Sequence, residues 1–488
     1  METEGWGIVL ALAWTALDVA VLLHLLRYRR RSDTVLLWIL AVLSLPLAGA
    51  VLYAMFGVNR VPNAKWAQGN RRREGLLRAR EVLPHAYWRA TAPHRAEPSD
   101  PWEAGTDRTF SALTHGTPRL SGNLVTPLLT GDAAFPEMLD AIAEARHHIH
   151  LQSFIIGNDT VGRRFLDALA DKARSGVRVR VLHDRFGSSG ALWGGLFRRY
   201  AGIPNLSIAG WTQANLFRKQ LQFNLRNHRK NLVVDGRIAF TGGINLCASE
   251  ESGPKGAAIR DYHFRVLGPV VQELQYGFLR DWHVMTGEDA EALLSDAHFR
   301  DLPPAGGMLA RVVNTGPASA LQAASDLFFH AVTSARRHIF AVTPYFLPSD
   351  DILRALRMAA FRGVQVDIVV PALSNHPYTT WASRACYDDL LEAGVRIHER
   401  AAPFIHAKAL TVDARMSVVG SANWDMRSLS SNFETCLVVY GQPFAFALHQ
   451  LMDADRAASA ERRYAEFHAR PKWHRYVENT CALLSPLL

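Results

Sequence analysis

Two long apolar segments lie within the first 60 residues of the sequence. Residues 6–26 form a run of 21 that only Thr15, Asp18 and His24 interrupt, and residues 35–56 form a run of 22 without any charge. As an α-helix, either run is long enough to cross a hydrocarbon layer of about 30 Å. The arginine-rich segment between them is too polar to continue a span. The pattern therefore predicts a two-helix transmembrane hairpin.

Beyond residue 121 the pattern changes to helices that alternate with strands, and it runs twice. Residues 173–181 in the first copy are matched by residues 360–368 in the second. In each copy a helical pattern ends at a glycine, Gly176 or Gly363, and a β-branched strand follows. Strands that alternate with helices predict βαβ units whose helices pack on the faces of a sheet. The sequence therefore predicts an α/β fold that is duplicated.

This pattern divides the chain into four parts. We predict the hairpin at residues 1–58, a basic linker at 59–121, and two α/β domains at 122–300 and 301–488. A length of 488 residues agrees with several units, because one hydrophobic core does not grow to that size. A repeat of this length indicates two fused domains and not a solenoid, whose repeats are shorter.

The positive charge is concentrated beside the apolar runs. Of the net charge of +9, residues 27–33 contribute +3 and residues 60–80 contribute +6, so the rest of the chain is close to neutral. A nucleic-acid enzyme carries its positive charge across the binding face of a folded domain. Basic residues beside apolar spans indicate contact with anionic membrane lipids instead. Both segments that follow the spans are basic, so the sequence leaves open which membrane side the domains occupy.

The two halves carry the same polar residues at the same intervals. In each half a histidine is followed by a lysine after two positions, an aspartate after seven and an asparagine after seventeen. The first set is His228, Lys230, Asp235 and Asn245, and the second is His406, Lys408, Asp413 and Asn423. One His-x-Lys would be common by chance, but two extended copies with matching intervals would not be. They are the candidate residues of a single catalytic site.

The residue types in these motifs suit chemistry at a phosphodiester. In a strand, His-x-Lys places both side chains on one face. An imidazole can attack or donate a proton near neutral pH, and the ammonium and the asparagine amide can bind non-bridging phosphate oxygens. Two such faces would supply a nucleophile, an acid and the positive charge that stabilises a five-coordinate phosphorus. This chemistry requires no metal or cofactor, and we predict none.

These motifs resemble those of the phospholipase D superfamily over nearly the whole chain. The resemblance is strongest to the bacterial cardiolipin synthases, because of residues 421–428, the triplet 432–434 and the tail 478–488. It implies two fused phospholipase D-like α/β sandwich domains with mixed sheets and an active site between them. It also implies a phosphohistidine intermediate, two phosphatidylglycerol molecules as substrates, cardiolipin and glycerol as products, and a location in the bacterial cell membrane.

The resemblance assigns roles to further residues. It implies that Asp261 and Glu434 hydrogen-bond to the histidines and orient them, and that the two asparagines bind or orient the phosphate. The motif aspartates Asp235 and Asp413 belong to the catalytic motifs, and we expect them mainly to brace the loop behind each lysine. Residues 259–262 depart from the family pattern, a difference that bears on the acceptor lipid.

Two alternatives remain beside the synthase. A membrane-bound phospholipase D or other phosphodiesterase would use water as the acceptor and would carry the same motifs. A scaffold that had lost catalysis is disfavoured, because both motifs are complete. A metal site at His147, His148 and His150 is also disfavoured, because these residues straddle the predicted junction of a helix and a strand.

Overall fold

The computed structural model describes most of the chain outside the predicted linker. The described residues are 14–25, 32–45, 47–53, 86–114, 116–211, 214–215, 220–221, 226–253, 256–316 and 323–483. The chain forms two compact units, one of residues 1–67 with 215–222 and one of the remaining residues.

Within residues 1–67 of the first unit, the described secondary structure is helical. Residues 14–25 form a helix, and helices Ser32–Ser44 and Ala48–Leu52 follow. No helix within the described residues has both the length and the apolar character that a membrane span requires. The predicted spans 6–26 and 35–56 fall partly outside the described residues, and the basic segment 60–80 falls wholly outside them. The transmembrane hairpin therefore stays a prediction.

The strands of the structure lie between residues 120 and 462. In chain order they are β1 (Leu120–Leu129), β2 (His148–Ser153), β3 (Arg178–Asp184), β4 (Leu206–Trp211), β5 (Ala214–Asn215), β6 (Gln220–Leu221), β7 (Asn231–Val234), β8 (Ile238–Gly242), β9 (Tyr262–Leu267), β10 (Met308–Thr315), β11 (His338–Val342), β12 (Phe346–Leu347), β13 (Gln365–Pro371), β14 (Arg396–Arg400), β15 (Ala409–Val412), β16 (Met416–Gly420), β17 (Trp424–Asp425), β18 (Glu434–Tyr440) and β19 (Ser459–Arg462). Two pairs, β5 with β6 and β12 with β17, form small separate sheets.

The other fifteen strands form one mixed sheet, whose strand order is the same in both halves except that the second half has the additional edge strand β19. Its order is β4-β3-β2-β7-β8-β9-β1 in the first half, and β10-β18-β16-β15-β11-β13-β14-β19 in the second. In each half two neighbouring pairs are parallel, β2 with β3 and β3 with β4, or β11 with β13 and β13 with β14. The antiparallel pairing of β1 with β10 joins the halves. The predicted mixed α/β fold is confirmed, and the two sheets are continuous.

Helices cover this sheet and connect its strands. In the second unit they are Ala86–Thr91, Pro101–Leu113, Thr130–Glu144, Thr160–Arg174, Ser189–Trp193, Val271–Thr286, Ala290–Leu293, Ala323–Ser334, Asp350–Phe361, Pro377–Arg384, Tyr387–Glu392, Met426–Ser430, Gln442–Ala457, Tyr464–His468 and Lys472–Ala482, with short 3-10 turns at Ala92–His94, Phe197–Tyr200 and Ala248–Glu250. Gly176 and Gly363 have positive φ angles of 96° and 83° after the helices that precede β3 and β13. A left-handed residue of this kind ends a helix without a Cβ clash.

The structure describes helices within residues 86–113 of the segment that the sequence predicts as a linker. Helix Pro101–Leu113 starts at Asp100, whose carboxylate accepts hydrogen bonds from the backbone N–H groups of Trp102 and Glu103 at 2.8 and 2.9 Å. Phe110 of this helix is fully buried in the core of the second half. The arginine- and proline-rich composition of the segment conceals this helix, because only a few apolar positions fix it to the core.

Among the described residues, three apolar clusters pack the second unit. One lies on the first half and one on the second, each between helices and the sheet. The third takes buried residues from both halves, among them Phe264 of β9, Val312 of β10 and Leu437 of β18. These central strands are therefore packed as one body, which fixes the ends of β9 and β18 relative to each other.

Candidate active site

Both His-x-Lys motifs lie just before a strand, and each motif segment pairs with the opposite half. β7 begins directly after Lys230 and β15 directly after Lys408, so the expectation that the motifs lie within a strand is wrong by a few residues. The reason is that contacts with the opposite half of the protein position the motif segments. The backbone N–H of His228 donates to the carbonyl of Phe433 at 2.9 Å, and that of His406 donates to the carbonyl of Arg260 at 2.8 Å. These crossed bonds bring the two motifs to one place.

The first histidine is held by a carboxylate from the second half. Nδ1 of His228 lies 3.0 Å from Oε2 and 3.1 Å from Oε1 of Glu434. Glu434 is fully buried and also accepts hydrogen bonds from the hydroxyls of Ser421 at 2.5 Å and Ser428 at 2.9 Å. Burial raises the pKa of Glu434, but the charge and hydrogen bond of His228 outweigh it, so the pKa is lowered. Glu434 is therefore an ionised acceptor that keeps the proton of His228 on Nδ1.

The second histidine has the reciprocal partner. Nδ1 of His406 lies 2.6 Å from Oδ2 of Asp261, which is fully buried at the start of β9. The ammonium of Lys408 lies 3.7 Å from the same oxygen. Burial raises the pKa of Asp261, but Lys408 and His406 outweigh it and lower the pKa. Each histidine thus has a carboxylate at Nδ1, which leaves its Nε2 available to a substrate.

Burial sets the protonation of the cationic groups. It lowers the pKa of His406 to about 4, against the opposing effect of Asp261, and it lowers the pKa of His228 as well. It also lowers the pKa of Lys230 to about 7, and that of Lys408 in the same direction. Lys408 acts on the pKa of His228 and Lys230 on that of His406, as expected for motifs that share one site. Burial therefore favours the neutral form of both imidazoles.

The motif asparagines are held by two buried carboxyls that the sequence reasoning missed. Glu250 Oε1 accepts hydrogen bonds from the backbone N–H and Nδ2 of Asn245 at 3.2 and 3.4 Å. Asp425 Oδ2 accepts one from Nδ2 of Asn423 at 2.9 Å. Burial raises the pKa of both carboxyls, to about 8 for Glu250. The first half carries a small insertion, because Asp261 lies 16 residues after Asn245 whereas Glu434 lies 11 after Asn423. Glu250 lies in this insertion, and its closeness to Asn245 in sequence was the available signal.

The motif aspartates face away from the histidines. The carboxylate of Asp235 accepts backbone N–H bonds from Arg146, His147 and His148 at 2.8 to 2.9 Å. Asp413 accepts three from residues 336–338 at 2.7 to 2.9 Å. Both have left-handed backbones, with φ angles of 53° and 54°. Each closes the turn after its motif strand onto the loop before β2 or β11.

Aromatic rings line the histidines, a feature that no sequence interval indicated. The ring of Phe154 lies 4.9 Å from that of His228 and 5.3 Å from the ammonium of Lys230. The ring of Tyr345 lies 6.1 Å from that of His406. Phe154 and Tyr345 follow β2 and β11, the equivalent strands of the two halves, so the lining repeats with the fold.

The histidine cluster at the start of β2 makes hydrogen bonds of its own. His148 and His150 are buried and bond to Gln275 at 2.9 and 3.0 Å, while His147 is exposed. Among the described residues, the one group whose donor atoms lie close enough to hold a metal ion is Glu250, Asp261 and His406, within 4.8 Å of one another. That group belongs to the active site.

The fold and the site define the class of protein. A duplicated α/β unit brings two imidazoles, each hydrogen-bonded to a carboxylate, and two ammonium groups to the junction of its halves. A nucleophile, an acid and fixed positive charge are the requirements for transferring a phosphoryl-linked group through a covalent intermediate. These features are those of an enzyme of the phospholipase D superfamily.

Comparison with known proteins narrows this class. A family model described as "Cardiolipin synthase, PLD-like domain" matches residues 138–282 and 328–456, and one described as "Phospholipase_D-nuclease N-terminal" matches residues 16–57. The chain is 33% identical to the cardiolipin synthase of Alkalihalophilus pseudofirmus, over 94% of this chain and 90% of that protein. It is 31% identical to the major cardiolipin synthase of Bacillus subtilis, over 99% of each.

A solved structure agrees on the fold. The phosphatidylserine synthase of Haemophilus influenzae is 13% identical and matches with a TM-score of 0.61, over 79% of this chain and 100% of that one. The chain belongs to the cardiolipin synthase family of the phospholipase D superfamily. It is a phosphatidyltransferase whose function is cardiolipin synthesis. The family, enzyme class and function predicted from the two motifs are thereby confirmed.

Proposed function

We propose that this enzyme transfers a phosphatidyl group from one phosphatidylglycerol to another by way of a phosphohistidine. The observation that carries the proposal is the pair of crossed bonds from Nδ1 of His228 to Glu434 and from Nδ1 of His406 to Asp261, at 3.0 and 2.6 Å. A histidine that donates from Nδ1 to a carboxylate presents the lone pair of Nε2. Each imidazole is therefore suited to attack phosphorus or to carry a proton at Nε2.

In the first step, Nε2 of one histidine forms a bond to the phosphorus of the donor lipid. The bond from phosphorus to the head-group glycerol oxygen breaks, and the other histidine gives its Nε2 proton to that oxygen. Glycerol leaves. In the second step, the histidine that gave its proton takes a proton from a hydroxyl of the acceptor phosphatidylglycerol. The oxygen of that hydroxyl attacks phosphorus, and the bond from phosphorus to the nitrogen of the first histidine breaks. The products are cardiolipin and glycerol.

The charged side chains support this sequence of steps. Lys230 and Lys408 are 3% and 4% exposed, so their positive charge acts in a poorly solvated site. The two lysines would bind the non-bridging oxygens with Asn245 and Asn423. A bound phosphate anion also favours protonation of a nearby imidazole, which supplies the acid that the first step needs. Asp235 and Asp413, whose carboxylates bond to backbone, would act only by bracing the motif loops.

The lipid substrates imply a place at a membrane. We include in the proposal the transmembrane hairpin at residues 1–58, the linker at 59–121, and the domains at 122–300 and 301–488, in the bacterial cell membrane. The apolar runs 6–26 and 35–56 support the hairpin, and the net charge of +6 in residues 60–80 supports contact with anionic lipids. Basic residues near such a surface contribute about 1 kcal/mol each.

The products distinguish this proposal from its alternative, a phosphodiesterase that uses water. With phosphatidylglycerol vesicles, the purified enzyme should release glycerol and form cardiolipin in near equal amounts, with little phosphatidic acid. Added glycerol should drive the reaction backwards, because one phosphodiester is exchanged for another of similar energy. Lipid mass spectrometry and a glycerol assay measure both products. Phosphatidic acid as the main product would refute the proposed acceptor and favour the hydrolase.

A further inference from the structure

Glu250 is a buried carboxyl beside the catalytic pair of the second half. It ends the 3-10 turn Ala248–Glu250 and is 1% exposed. Its Oε1 accepts the two weak hydrogen bonds from Asn245, and its Oε2 is buried without a hydrogen-bond partner among the described residues. A buried carboxylate oxygen without any donor is costly if the group is ionised. The position needs either a proton or a bound cation.

The surroundings of Glu250 decide between its charge states. One carboxyl oxygen of Glu250, one carboxyl oxygen of Asp261 and one ring nitrogen of His406 all lie within 4.8 Å of one another. Two buried carboxyls at such a separation do not both ionise readily. The carboxylate of Asp261 accepts hydrogen bonds from Nδ1 of His406 at 2.6 Å and from the backbone N–H of Tyr262 at 2.7 Å, and it lies 3.7 Å from the ammonium of Lys408. The negative charge therefore belongs to Asp261. Glu250 receives only neutral amide donors.

Other titratable groups act on this carboxyl from four segments. They are Asp261 before β9, Lys230 before β7, His406 and Lys408 before β15, and Cys247 beside the turn. The two lysines favour ionisation of Glu250, while burial and Asp261 oppose it. Burial followed by Asp261 has the larger effect and raises the pKa of Glu250 to about 8.

We propose that Glu250 is a positioning residue that stays protonated at neutral pH, holds Asn245 towards the substrate phosphate, and leaves His406 with one carboxylate. The proposal rests on the proposed function for the role of His406. When Glu250 ionises, a second negative charge appears beside Asp261 and opposes binding of the anionic phosphate. Catalytic efficiency should then fall as pH rises through the titration of Glu250.

A cation bound by Glu250, Asp261 and His406 is the competing explanation. The ammonium of Lys408 already lies near the Asp261 oxygen that bonds to His406, and a divalent ion there would face a like charge. A proton on Glu250 needs no such contact. The two explanations differ in their response to a chelator.

The test is the substitution Glu250→Gln, which imitates the protonated acid. Glutamine keeps an oxygen for Asn245 and places an uncharged NH₂ group near Asp261. Glu251→Gln is the matched control, since Glu251 is the next residue and is paired with Arg164 at 2.6 Å. The measured quantity is kcat/KM of each variant divided by that of the wild type, from pH 6 to pH 9.5.

We expect the kcat/KM ratio for Glu250→Gln to lie within about threefold of one at pH 6.5. By pH 9 the ratio should rise at least about threefold, because the variant lacks a charge-charge interaction that is worth roughly one pKa unit or less. The ratio for Glu251→Gln should stay flat. A flat or falling ratio for Glu250→Gln would overturn the proposal. The proposal would also be overturned if EDTA removed the activity of the wild type and one divalent metal restored it, while Glu250→Gln showed no such response.

A second measurement is independent of the product that the enzyme makes. Because the folded state raises the pKa of Glu250 above its ordinary value of 4.5 to about 8, the folded chain binds more protons than the unfolded chain between these values. The contribution of this group to stability is therefore lost as pH rises through that window. The melting temperature of Glu250→Gln in detergent should increase relative to that of the wild type from pH 5 to pH 8. A constant difference would contradict a protonated Glu250 even if cardiolipin is the product.

Discussion

Nδ1 of His406 lies 2.6 Å from Oδ2 of Asp261, a residue 145 positions earlier in the opposite half of the protein. The reciprocal bond joins His228 to Glu434, 206 positions later. The reason is the order of the sheet: β9 and β18, which carry these carboxylates at or next to their first residue, flank the β1–β10 junction. In each half the motif histidine bonds to the carboxylate of the opposite half and not to the carboxylate of its own half. The duplicated domains therefore form one site.

The crossed pairing predicts which residues are energetically coupled. We expect a double-mutant cycle of His406→Ala with Asp261→Asn to show a coupling of about 1 kcal/mol or more in unfolding free energy, as for residues in contact. The matched cycle of His406→Ala with Glu434→Gln should be additive within about 0.5 kcal/mol. Denaturant unfolding in detergent measures both. Stronger coupling of His406 to Glu434 than to Asp261 would contradict the crossed arrangement.

Loss of either histidine should remove nearly all turnover. His228→Ala and His406→Ala each delete a group that the proposed two-step transfer uses in both steps. The double variant should resemble either single one, because groups that act together do not contribute additively. Cardiolipin formation from radiolabelled phosphatidylglycerol measures the rate, with the exposed His147→Ala as control. Activity above about a tenth of wild type in either single variant, a loss under roughly 1.4 kcal/mol, would exclude the two-motif site.

The motif aspartates should affect stability more than chemistry. Asp235 and Asp413 each accept three backbone N–H bonds, so the change to alanine removes the acceptor of three backbone donors. We expect each substitution to cost about 1–3 kcal/mol of stability. The rate per folded molecule should stay within about tenfold of the wild type. A fall of a hundredfold or more at an unchanged melting temperature would instead assign these carboxylates to the reaction.

The buried histidines predict a loss of stability in acid. Burial lowers the pKa of five of them, to about 3 for one and about 4 for the others; they are His148, His183, His263, His298 and His406. Between these values and the ordinary 6.5 the unfolded chain binds more protons, so stability falls as pH falls through that window. Each proton taken up costs about 1.4 kcal/mol per pH unit. Melting temperatures from pH 7 to pH 4.5 should drop steeply.

The sequence by itself determined the duplication, the two motifs and the family. Helix-ending glycines such as Gly176 and Gly363 and the intervals from His228 to Asn245 and from His406 to Asn423 are local properties. They depend on backbone periodicity and on residue chemistry, both of which can be followed along one chain. The resemblance to the family also implied that Asp261 and Glu434 hydrogen-bond to the histidines and orient them.

Only the tertiary structure decided which partner each histidine takes and what surrounds the pair. The exchange of carboxylates follows from the β1–β10 pairing, and no interval in one half encodes a contact with the other. Glu250 lies in an insertion, and only the structure shows that its buried carboxyl is close to Asp261. Helix Pro101–Leu113 likewise depends on a core contributed by the second half. Each of these features is a long-range contact, whose energy comes from burial and charge that a linear pattern does not contain.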